Sequence, residues 1–508
     1  MQIIDTHNLT SSTIKASYWK LISVIALASS NLLTLAILSR LLLPNQFGLV
    51  AAAQIITGFI AMFSDVGVSS AIVQKRDLST NHISVGFTTS ICLGLAVGAT
   101  IWFGAPLFSQ VLNIDISTGL IRCLSLAFPI SSISSVAEAL LIRKLDFKKL
   151  FFADLFSRIF AYTIVSIFLA IKGFGEWSLV GGTIISTFIR SIYLLYSAKT
   201  RLKFIIRKRE FLELFSFGGM YSLLRVINYF AQKADNFVVG RYLGVDTLGL
   251  YDRAFQIMSY PGMLIGNVLD GTMFPSMSIV QNQPERLKNA YYRSLSLVNI
   301  ILMPLSIFLV LNAPEIIKIL LGKPWMGLVN PLQVLFLVIP LRSSSRMCDS
   351  LARAKGALSQ NALQKLIYLF VITLGSFFGK RYGLVGVAWG VNFAVIVHFL
   401  LMSYLGETLI GGKAIKILVT FKEGLHYSLI VFVVCGFSLL MLRMFIEYAI
   451  ITLIIEMIVL MVVFWVICQV FPRFFGDDLR WFIRNLIFAV PNTKVRLRLM
   501  NFSRMEIE

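Results

Sequence analysis

The sequence is poor in charge for its length. Asp, Glu, Lys and Arg make up 14% of its 508 residues, whereas 57% are hydrophobic. Water-soluble domains carry about 25% charged residues, and a soluble fold has too little interior to hide this much apolar surface. We therefore expect a membrane protein. Histidine is also scarce, with four residues, so a histidine-based metal centre is not expected.

Cysteines and catalytic motifs are equally sparse. The five cysteines show no paired metal-binding or redox spacing and are interpreted as packing residues. No Gly-x-x-x-x-Gly-Lys-Ser/Thr phosphate loop occurs, and the nearest segment, 411–414, lacks both the hydroxyl and the spacing. No catalytic constellation is recognisable, and short predicted outer loops leave little room for a catalytic domain. We expect neither an enzyme nor a bound cofactor or metal.

Apolar runs long enough to cross a bilayer recur along the whole chain. Residues 1–17 lack the pattern of a secretory leader, so the first run is expected to remain as an anchor. Because a span needs about 20 apolar residues, the sequence predicts about fourteen transmembrane helices. Their predicted limits are 18–41, 47–73, 83–104, 117–141, 151–171, 177–198, 214–240, 248–277, 291–313, 328–349, 360–379, 384–406, 424–446 and 449–471.

The net charge of +21 has an uneven distribution. If the N-terminus is cytoplasmic, about 30 of the 46 Lys and Arg residues fall in segments on that side and about 8 in loops on the other. Basic residues are enriched in cytoplasmic loops of membrane proteins. The pattern therefore predicts cytoplasmic N- and C-termini, and a nucleic-acid surface is the weaker interpretation of the same charge.

Two short patterns recur in the same order along the chain. Arg40-x-Leu42 with Gly48-Leu49 recurs at 241–250, and Lys172-x-x-Gly175 with Gly182 recurs at 380–390. These matches predict a six-span unit used twice, with parallel copies because six is even. The predicted organisation is a cytoplasmic segment 1–17, an N-lobe 18–198, a linker 199–213, a C-lobe 214–406, two further spans within 424–471 and a basic cytoplasmic tail 472–508.

The predicted span 214–240 is polar on one side and apolar on the other. At about 100° per residue, its polar residues cover an arc of about 160°; they are Arg225, Asn228, Tyr229, Gln232, Lys233, Asp235 and Asn236. Ionisable groups at membrane depth are costly and normally face a cavity. We therefore predict a wet cavity beside this helix, with Arg225 and Lys233 as the main ligands of an anionic cargo.

Other predicted spans carry further candidates for the same cavity. The additional cations are Arg122, Arg190, Arg253, Arg342 and Arg346, the polar lining is Asn228, Gln232 and Asn236, and the candidates for ion coupling or gating are Asp65, Asp235 and Asp270. Structural alternatives stay open for these residues. They include an ion pair for Lys233, Asp235 or Asp270, interfacial snorkelling for Arg253, a pair with Asp349 for Arg346, and a cap at a helix break for Asp65. Asp154 and Arg158, four residues apart, are predicted to neutralise each other.

Three segments resemble a known family. Residues 138–159 (EALLIRKLDFKKLFFADLFSRI), 173–182 (GFGEWSLVGG) and 234–278 (beginning ADNFVVGRYLGVDTLGLYDRAFQIM) resemble bacterial polysaccharide exporters of the colanic-acid type. These proteins are lipid-linked oligosaccharide flippases of the MOP superfamily. The resemblance implies an all-α, MATE-like fold with two pseudo-symmetric six-helix lobes around a cavity and two C-terminal helices, working by alternating access in the bacterial inner membrane.

The resemblance also implies a cargo, namely sugar repeat units linked to undecaprenyl pyrophosphate and destined for exopolysaccharide, capsule or O-antigen of lipopolysaccharide. Expected partners are this carrier, membrane lipid, and polysaccharide polymerase and export machinery, with no nucleic acid. Three rivals stay open: a flippase for the peptidoglycan lipid precursor, a cation–drug antiporter of the same superfamily, and a non-flippase membrane component of a polysaccharide synthase. The interior arginines disfavour the antiporter, whose cavity should be acidic.

Overall fold

The computed structural model describes residues 6–62, 67–75, 77–112, 118–199, 203–412 and 415–470. Side chains are described in these ranges except at 6–18, 20–21, 111–112, 215–225, 265, 267–276 and 467–470. The described residues form helices and contain no β-strand. The predicted all-α architecture is therefore confirmed.

The α-helices of the described chain follow one another with short connections. They are α1 (Thr6–Leu41), α2 (Pro44–Ala61), α3 (Val68–Gln74), α4 (Thr80–Leu112), α5 (Thr118–Ser125), α6 (Ala127–Arg143), α7 (Phe147–Phe156), α8 (Ile164–Ile171), α9 (Trp177–Ala198), α10 (Lys208–Leu243), α11 (Val245–Ile279), α12 (Pro284–Leu311), α13 (Ala313–Leu320), α14 (Val329–Phe336), α15 (Ile339–Ala354), α16 (Leu358–Gly379), α17 (Gly383–Ile410), α18 (Ile415–Phe445) and α19 (Ala449–Val470). A π-helical segment, Ser157–Thr163, joins α7 to α8, and 3₁₀ turns Lys323–Leu328 and Lys380–Tyr382 precede α14 and α17.

Several helix ends are fixed by specific side chains. Pro44 and Pro284 open α2 and α12, where the missing N–H is unneeded and the fixed φ suits a helix. The Asp146 carboxylate caps α7 by accepting from the Lys149 backbone N–H at 3.3 Å. At the end of α3, the Arg143 guanidinium donates to the carbonyl oxygens of residues 72, 73 and 75. Such contacts satisfy backbone groups that helix ends leave unpaired.

Nine helical runs within the described residues are long and apolar enough to cross a membrane, and a bent pair at 323–354 would make ten. One run, Leu358–Ile410, has 53 residues, or about 80 Å of helix. A hydrocarbon core is about 30 Å thick, so this run holds two crossings, α16 and α17. The predicted spans at 47–73, 214–240 and 248–277 correspond to α2–α3, α10 and α11. These helices are more polar and are not among the nine apolar runs. The predicted count fits this arrangement.

The helices form two compact units. The first comprises Met1–Arg253, Leu320–Trp325 and Ile372–Val387, and the second comprises Ala254–Ile319, Met326–Val371 and Ala388–Glu508. In the first unit α6 packs between α4 and α9, and the buried Trp325 donates its indole N–H to the Ser39 carbonyl at 2.9 Å. In the second unit α12 packs against α15 and α18. There the buried Tyr291 hydroxyl lies 3.1 Å from the Cys348 sulfur.

The sequence repeat has a direct structural counterpart in the first unit. Helices α1 and α10 each have 36 residues, and each leads through a short turn into the next helix. A Cβ atom on Gly48 of α2 would overlap the carbonyl oxygen of Val245, and a Cβ atom on Gly249 of α11 would overlap that of Pro44. The starts of α2 and α11 therefore pack against each other backbone to backbone. Gly48 of α2 contacts the start of α11, and Gly249 of α11 contacts the start of α2.

A cluster of charges holds the first turns of α10, just before the predicted span. Its Glu213 carboxylate lies 2.8 Å from Lys75, 3.0 Å from His82 and 3.1 Å from Arg209. Hydrogen bonds from these groups, led by that of Lys75, lower the pKa of Glu213 from 4.5 to about 2. Because Lys75 and His82 flank the turn between α3 and α4, the cluster ties the start of α10 to that turn.

We expect Gly249→Ala to destabilise the protein, because the added methyl group meets the Pro44 carbonyl and forces the helix starts apart. Overpacking of this kind costs about 1–3 kcal/mol. Thermal unfolding of the purified protein in detergent should show a lower melting temperature. Gly436→Ala in α18 is the matched control because no atom lies within 4 Å of its added Cβ. Equal melting temperatures for the two variants would contradict the close approach.

The Glu213 cluster predicts a specific dependence on pH. Because the folded-state pKa is lowered to about 2 from 4.5, the stabilisation is present above pH 4.5 and is lost as the pH falls toward 2. Glu213→Gln should therefore be less stable than wild type at neutral pH, with the difference shrinking across that acidic window. Glu210→Gln is the control, since Glu210 forms an ion pair with Arg207 of its own segment at 3.5 Å and takes no part in the Glu213 cluster. A difference that persists unchanged at the acidic end would refute the assignment.

Candidate functional site

The first unit contains a buried ionic cluster centred on Asp252. This residue lies in the third turn of α11, and its Oδ1 atom accepts from the Lys233 ammonium at 3.4 Å and the Asn236 amide at 2.9 Å. Its Oδ2 atom accepts from the Arg253 guanidinium at 2.6 Å. Lys233 and Asn236 are three residues apart on α10, so they share a face. One carboxylate thus brings together three residues that the sequence predicted for the site.

Two further contacts hold this cluster in place. The Arg253 guanidinium lies 4.9 Å from the centre of the Phe47 ring of α2, in a cation–π arrangement. Beneath it, the fully buried Asp235 carboxylate accepts a 2.8 Å hydrogen bond from the Tyr251 hydroxyl. The cluster, defined here as Lys233, Asp235, Asn236, Asp252 and Arg253, therefore combines two cations with two carboxylates. Lys233 pairs with Asp252 of α11, which corresponds to the ion-pair alternative considered for Lys233.

The polar arc of α10 is not uniformly exposed. Gln232 is exposed and Asn228 is half-buried, whereas Asp235 and Asn236 are buried. The Tyr229 hydroxyl donates to the Ile55 carbonyl of α2 at 2.7 Å, so part of the arc is used for helix packing. Asn228 and Gln232 remain the polar groups of this helix that are free to meet a sugar hydroxyl. Their role as cavity lining stays a prediction.

The remaining predicted cations of the first unit have local partners. Arg190 of α9 forms a two-pronged ion pair with Glu138 at 2.8 and 2.9 Å and a second pair with Asp154 at 2.8 Å. Arg122 of α5 donates to the Trp102 carbonyl at 3.3 Å and lies 5.9 Å from that ring's centre. Arg190 is thus compensated by carboxylates of α6 and α7, while Arg122 has no ion pair with a described carboxylate.

The predicted pair between Asp154 and Arg158 is wrong. Arg158 lies in the π-helical segment, whose wider turn changes the direction of its side chain. Its guanidinium donates to the Asn31 side chain of α1 and lies 4.3 Å from the centre of the Tyr162 ring. Asp154 is left to pair with Arg190. An i, i+4 spacing predicts contact only in a regular α-helix.

The second unit holds the other two predicted cations, both on α15. Arg346 donates to the Gly262 carbonyl at 2.9 Å, while Asp349, its considered partner, pairs with Arg353 at 3.2 Å and Lys365 at 3.0 Å. Arg342 lies 4.7 Å from the centre of the Phe255 ring.

The Arg342 guanidinium is only partly satisfied by the described residues. Its Nη1 atom is buried and has no hydrogen-bond partner among them, nor does any described carboxylate pair with it. A buried guanidinium nitrogen that lacks an acceptor is costly. Arg342 therefore has unused capacity to bind an anion.

Three predicted residues cannot be placed. Asp65 lies outside the described residues, and the side chains of Arg225 and Asp270 lie outside the described side chains. Their assignments stay predictions from sequence. No group of three or more His, Cys, Asp and Glu in the described part of the chain could hold a metal ion.

Sequence analysis missed several acidic residues. Asp252 was considered only as a neighbour of Arg253, although it organises the ionic cluster. Glu407 of α17 accepts from the Tyr292 hydroxyl at 2.8 Å, and Glu456 of α19 is fully buried. A single acidic residue within a long apolar run is a recognisable sequence feature, and it could have identified Glu456.

Comparison with known proteins identifies relatives. Residues 37–330 match the family described as "Polysaccharide biosynthesis protein". The chain is 25% identical to the lipopolysaccharide biosynthesis protein WzxC of Escherichia coli K12 over 78% of its length and 81% of that protein. It is 29% identical to the succinoglycan biosynthesis transport protein ExoT of Rhizobium meliloti over 60% of its length and 62% of that protein.

Among solved structures, the lipid II flippase MurJ in an inward closed conformation is similar, with a TM-score of 0.71 and 15% identity. The match covers 90% of this chain and 99% of that structure. At this identity the similarity concerns the fold, and it confirms the predicted all-α fold of the MOP type. With the apolar helices of the described residues, it establishes a multi-pass membrane protein.

We expect Asp252→Asn to be destabilising, because it leaves the half-buried charges of Lys233 and Arg253 without their carboxylate. Breaking a fully buried pair in this way costs about 3–5 kcal/mol, and a partly exposed pair costs less. Thermal unfolding in detergent should show the loss, and adding Lys233→Met should restore part of it. Asp246→Asn, in the exposed first turn of the same helix, is the control and should leave stability unchanged. An Asp252→Asn protein as stable as the control would exclude a central role for this carboxylate.

Proposed function

The chain belongs to the family of polysaccharide biosynthesis proteins, and we propose that it flips a lipid-linked oligosaccharide across a bacterial inner membrane for surface polysaccharide assembly. Two comparisons support this proposal. The relative ExoT is a transport protein of succinoglycan biosynthesis, and MurJ, with the same fold, is a flippase for a lipid-linked precursor. The chain is accordingly a transporter and not an enzyme.

Arg342 is the observation that best supports an anionic cargo. Its buried, unpaired Nη1 atom is expected to meet an acceptor during the transport cycle, since a guanidinium binds phosphate oxygens with charge-assisted hydrogen bonds. A pyrophosphate linked to a polyprenyl carrier offers such oxygens. The stacking of Arg342 on Phe255 leaves the edge of the guanidinium, where its donors lie, available for that contact.

The ionic cluster is proposed to bind and release the same cargo. Lys233 and Arg253 share the Asp252 carboxylate, so a pyrophosphate can exchange with that carboxylate instead of leaving two cations uncompensated. Exchange of one anion for another keeps the charges balanced in both states, which suits alternating access. Arg225, Arg346, Arg122 and Arg190 remain proposed cavity cations, with Asn228, Gln232 and Asn236 toward the sugars. Asp65, Asp235 and Asp270 remain proposed coupling or gating residues.

The sequence and the fold support a matching cellular setting. The charge distribution predicts cytoplasmic termini, so the cargo would move from the cytoplasmic to the periplasmic leaflet while its polyprenyl tail stays in lipid. Polymerase and export machinery are the proposed recipients of the flipped unit. The chain requires no cofactor in this scheme.

The second candidate function is flipping of the peptidoglycan lipid precursor. The fold similarity to MurJ over 90% of the chain favours it specifically. Expression of this chain in a strain depleted of its own peptidoglycan precursor flippase separates the two functions. Restored growth would favour the second candidate, whereas failure of a correctly inserted protein to restore growth would favour the first.

A deletion-and-rescue experiment tests the proposed function. Without the gene, lipid-linked repeat units should accumulate and surface polysaccharide should disappear. We expect Arg342→Gln to rescue export poorly. Loss of a charge-assisted hydrogen bond costs about 1.5–3 kcal/mol, which predicts a fall of about tenfold or more in the amount of surface polymer. Quantification of precursor and polymer by mass spectrometry provides the measurement.

Arg353→Gln is the matched control for this experiment, because it removes a guanidinium from the same helix that is already paired with Asp349. It should rescue like wild type. A parallel Arg225→Ala strain tests the leading cation predicted from sequence. Full rescue by Arg342→Gln would remove that residue from the binding site, and normal polymer in the deletion strain would argue against export by this protein.

A further inference from the structure

The C-terminal helix α19 carries one buried acidic residue. Glu456 has 0% of its surface exposed, and neither of its carboxyl oxygens has a hydrogen-bond partner among the described residues. It lies on the inward side of a helix whose opposite side exposes Ile450, Ile454 and Ile458. An acidic group in this position is costly for a membrane helix, so its presence calls for a function.

The surroundings of Glu456 are apolar. One helical turn to either side, Leu453 and Leu460 pack into a cluster with Phe308 of α12 and Val431 and Cys435 of α18. The Ser438 hydroxyl and the Cys435 thiol lie beside the carboxyl without meeting hydrogen-bond geometry. Among the described residues no cation forms an ion pair with Glu456, and an unpaired buried carboxylate is far less favourable than its neutral form. Burial therefore favours the neutral carboxyl in this conformation.

A cavity with several charged lining residues lies one helical turn from Glu456, toward the start of α19. Its volume is about 470 Å³, and it lies at the ends of α13, α18 and α19. The charged lining is Glu315, Lys318, Arg443 and Glu447. Thr452, which is 2% exposed, also lines the cavity and precedes Glu456 by one helical turn, or about 6 Å along the axis. The loop charges predict that this end faces the periplasm.

The charges that face Glu456 come from the neighbouring helices. Glu315 of α13 and Arg443 of α18 form a two-pronged ion pair at 2.8 and 2.9 Å. Both lie close enough to Glu456 to act on it electrostatically. Because they neutralise each other, they give Glu456 little net compensation. If Arg443 moved toward the cavity floor, its charge would compensate the Glu456 carboxylate. Glu456 could then release its proton.

We infer that Glu456 is a proton-binding site in the C-terminal helix pair, loaded from the polar cavity through Thr452. Loading and release change only the protonation state, with the proton exchanged with water in the cavity. If the proposed flipping function holds, this site couples flipping to the proton gradient. The helices α18 and α19 lie outside the two predicted six-span repeats. The proton site would therefore be separate from the cargo site.

The first test measures protonation without any transport. Dicyclohexylcarbodiimide attacks protonated carboxyl groups in apolar surroundings, and peptide mass spectrometry locates the adduct. In right-side-out membrane vesicles, we expect a Glu456 adduct whose yield falls as the external pH rises and does not respond to the internal pH. Glu285→Gln is the control, because the Glu285 side chain is 82% exposed and is not part of the cavity lining, and it should be labelled at Glu456 like wild type. Absence of an adduct at every pH, or a yield that follows internal pH, would overturn the proposal.

The second test addresses coupling in proteoliposomes, with a fluorescent short-chain polyprenyl-pyrophosphate glycan as the probe. Wild type and Glu285→Gln should flip the probe faster under a proton gradient, and Glu456→Gln should flip it at a rate that does not depend on the gradient. A Glu456→Gln protein that keeps the full gradient response would overturn the coupling. If wild type moved no probe at all, the flipping function would fail, while the labelling result would still decide the proton site.

Discussion

Compensation of buried charge is the constraint on which the rest of this structure depends. In a chain with 57% hydrophobic residues, each ion taken out of water needs a partner of opposite sign with good geometry. Asp252 serves Lys233 and Arg253 together, and Glu315 serves Arg443. The Lys233–Asp252 and Glu315–Arg443 pairs join different helices, so they fix which helix faces meet as well as neutralising charge.

Several charged side chains of the described residues depart from this rule, and two of them carry the functional proposals. The Nη1 atom of Arg342 and the carboxyl of Glu456 are buried without partners in the described structure. Natural proteins violate local consistency mainly where function requires it. One departure is cationic and the other acidic, which matches the separate needs of an anionic cargo and of an ion that drives its movement.

The sequence predicted the features that depend on short stretches of chain. Span limits follow from apolar length, and Gly175 and Gly383, both with positive φ, lie between predicted spans. Partners of charged residues could not be predicted in the same way. Arg158 contacts Asn31 on another helix, and Lys233 contacts Asp252 on the next helix, because these contacts depend on tertiary packing. Hydropathy alone does not identify α10 and α11 as membrane spans, because their polar residues lower the mean hydropathy of these helices.

The reciprocal contact of Gly48 with Val245 and of Gly249 with Pro44 has the form of an interface between two identical subunits. In a twofold-symmetric dimer, residue i of one subunit meets residue j of the other and the reverse holds as well. Here the two partners are parts of one polypeptide, so each half of the contact can change independently. Because both repeats lie in one chain, their sequences need not stay identical, although the backbone contact between the two helix starts is reciprocal. Unequal side chains, such as those of the ionic cluster on α10 and α11, can then accumulate around a symmetric pair of helix starts.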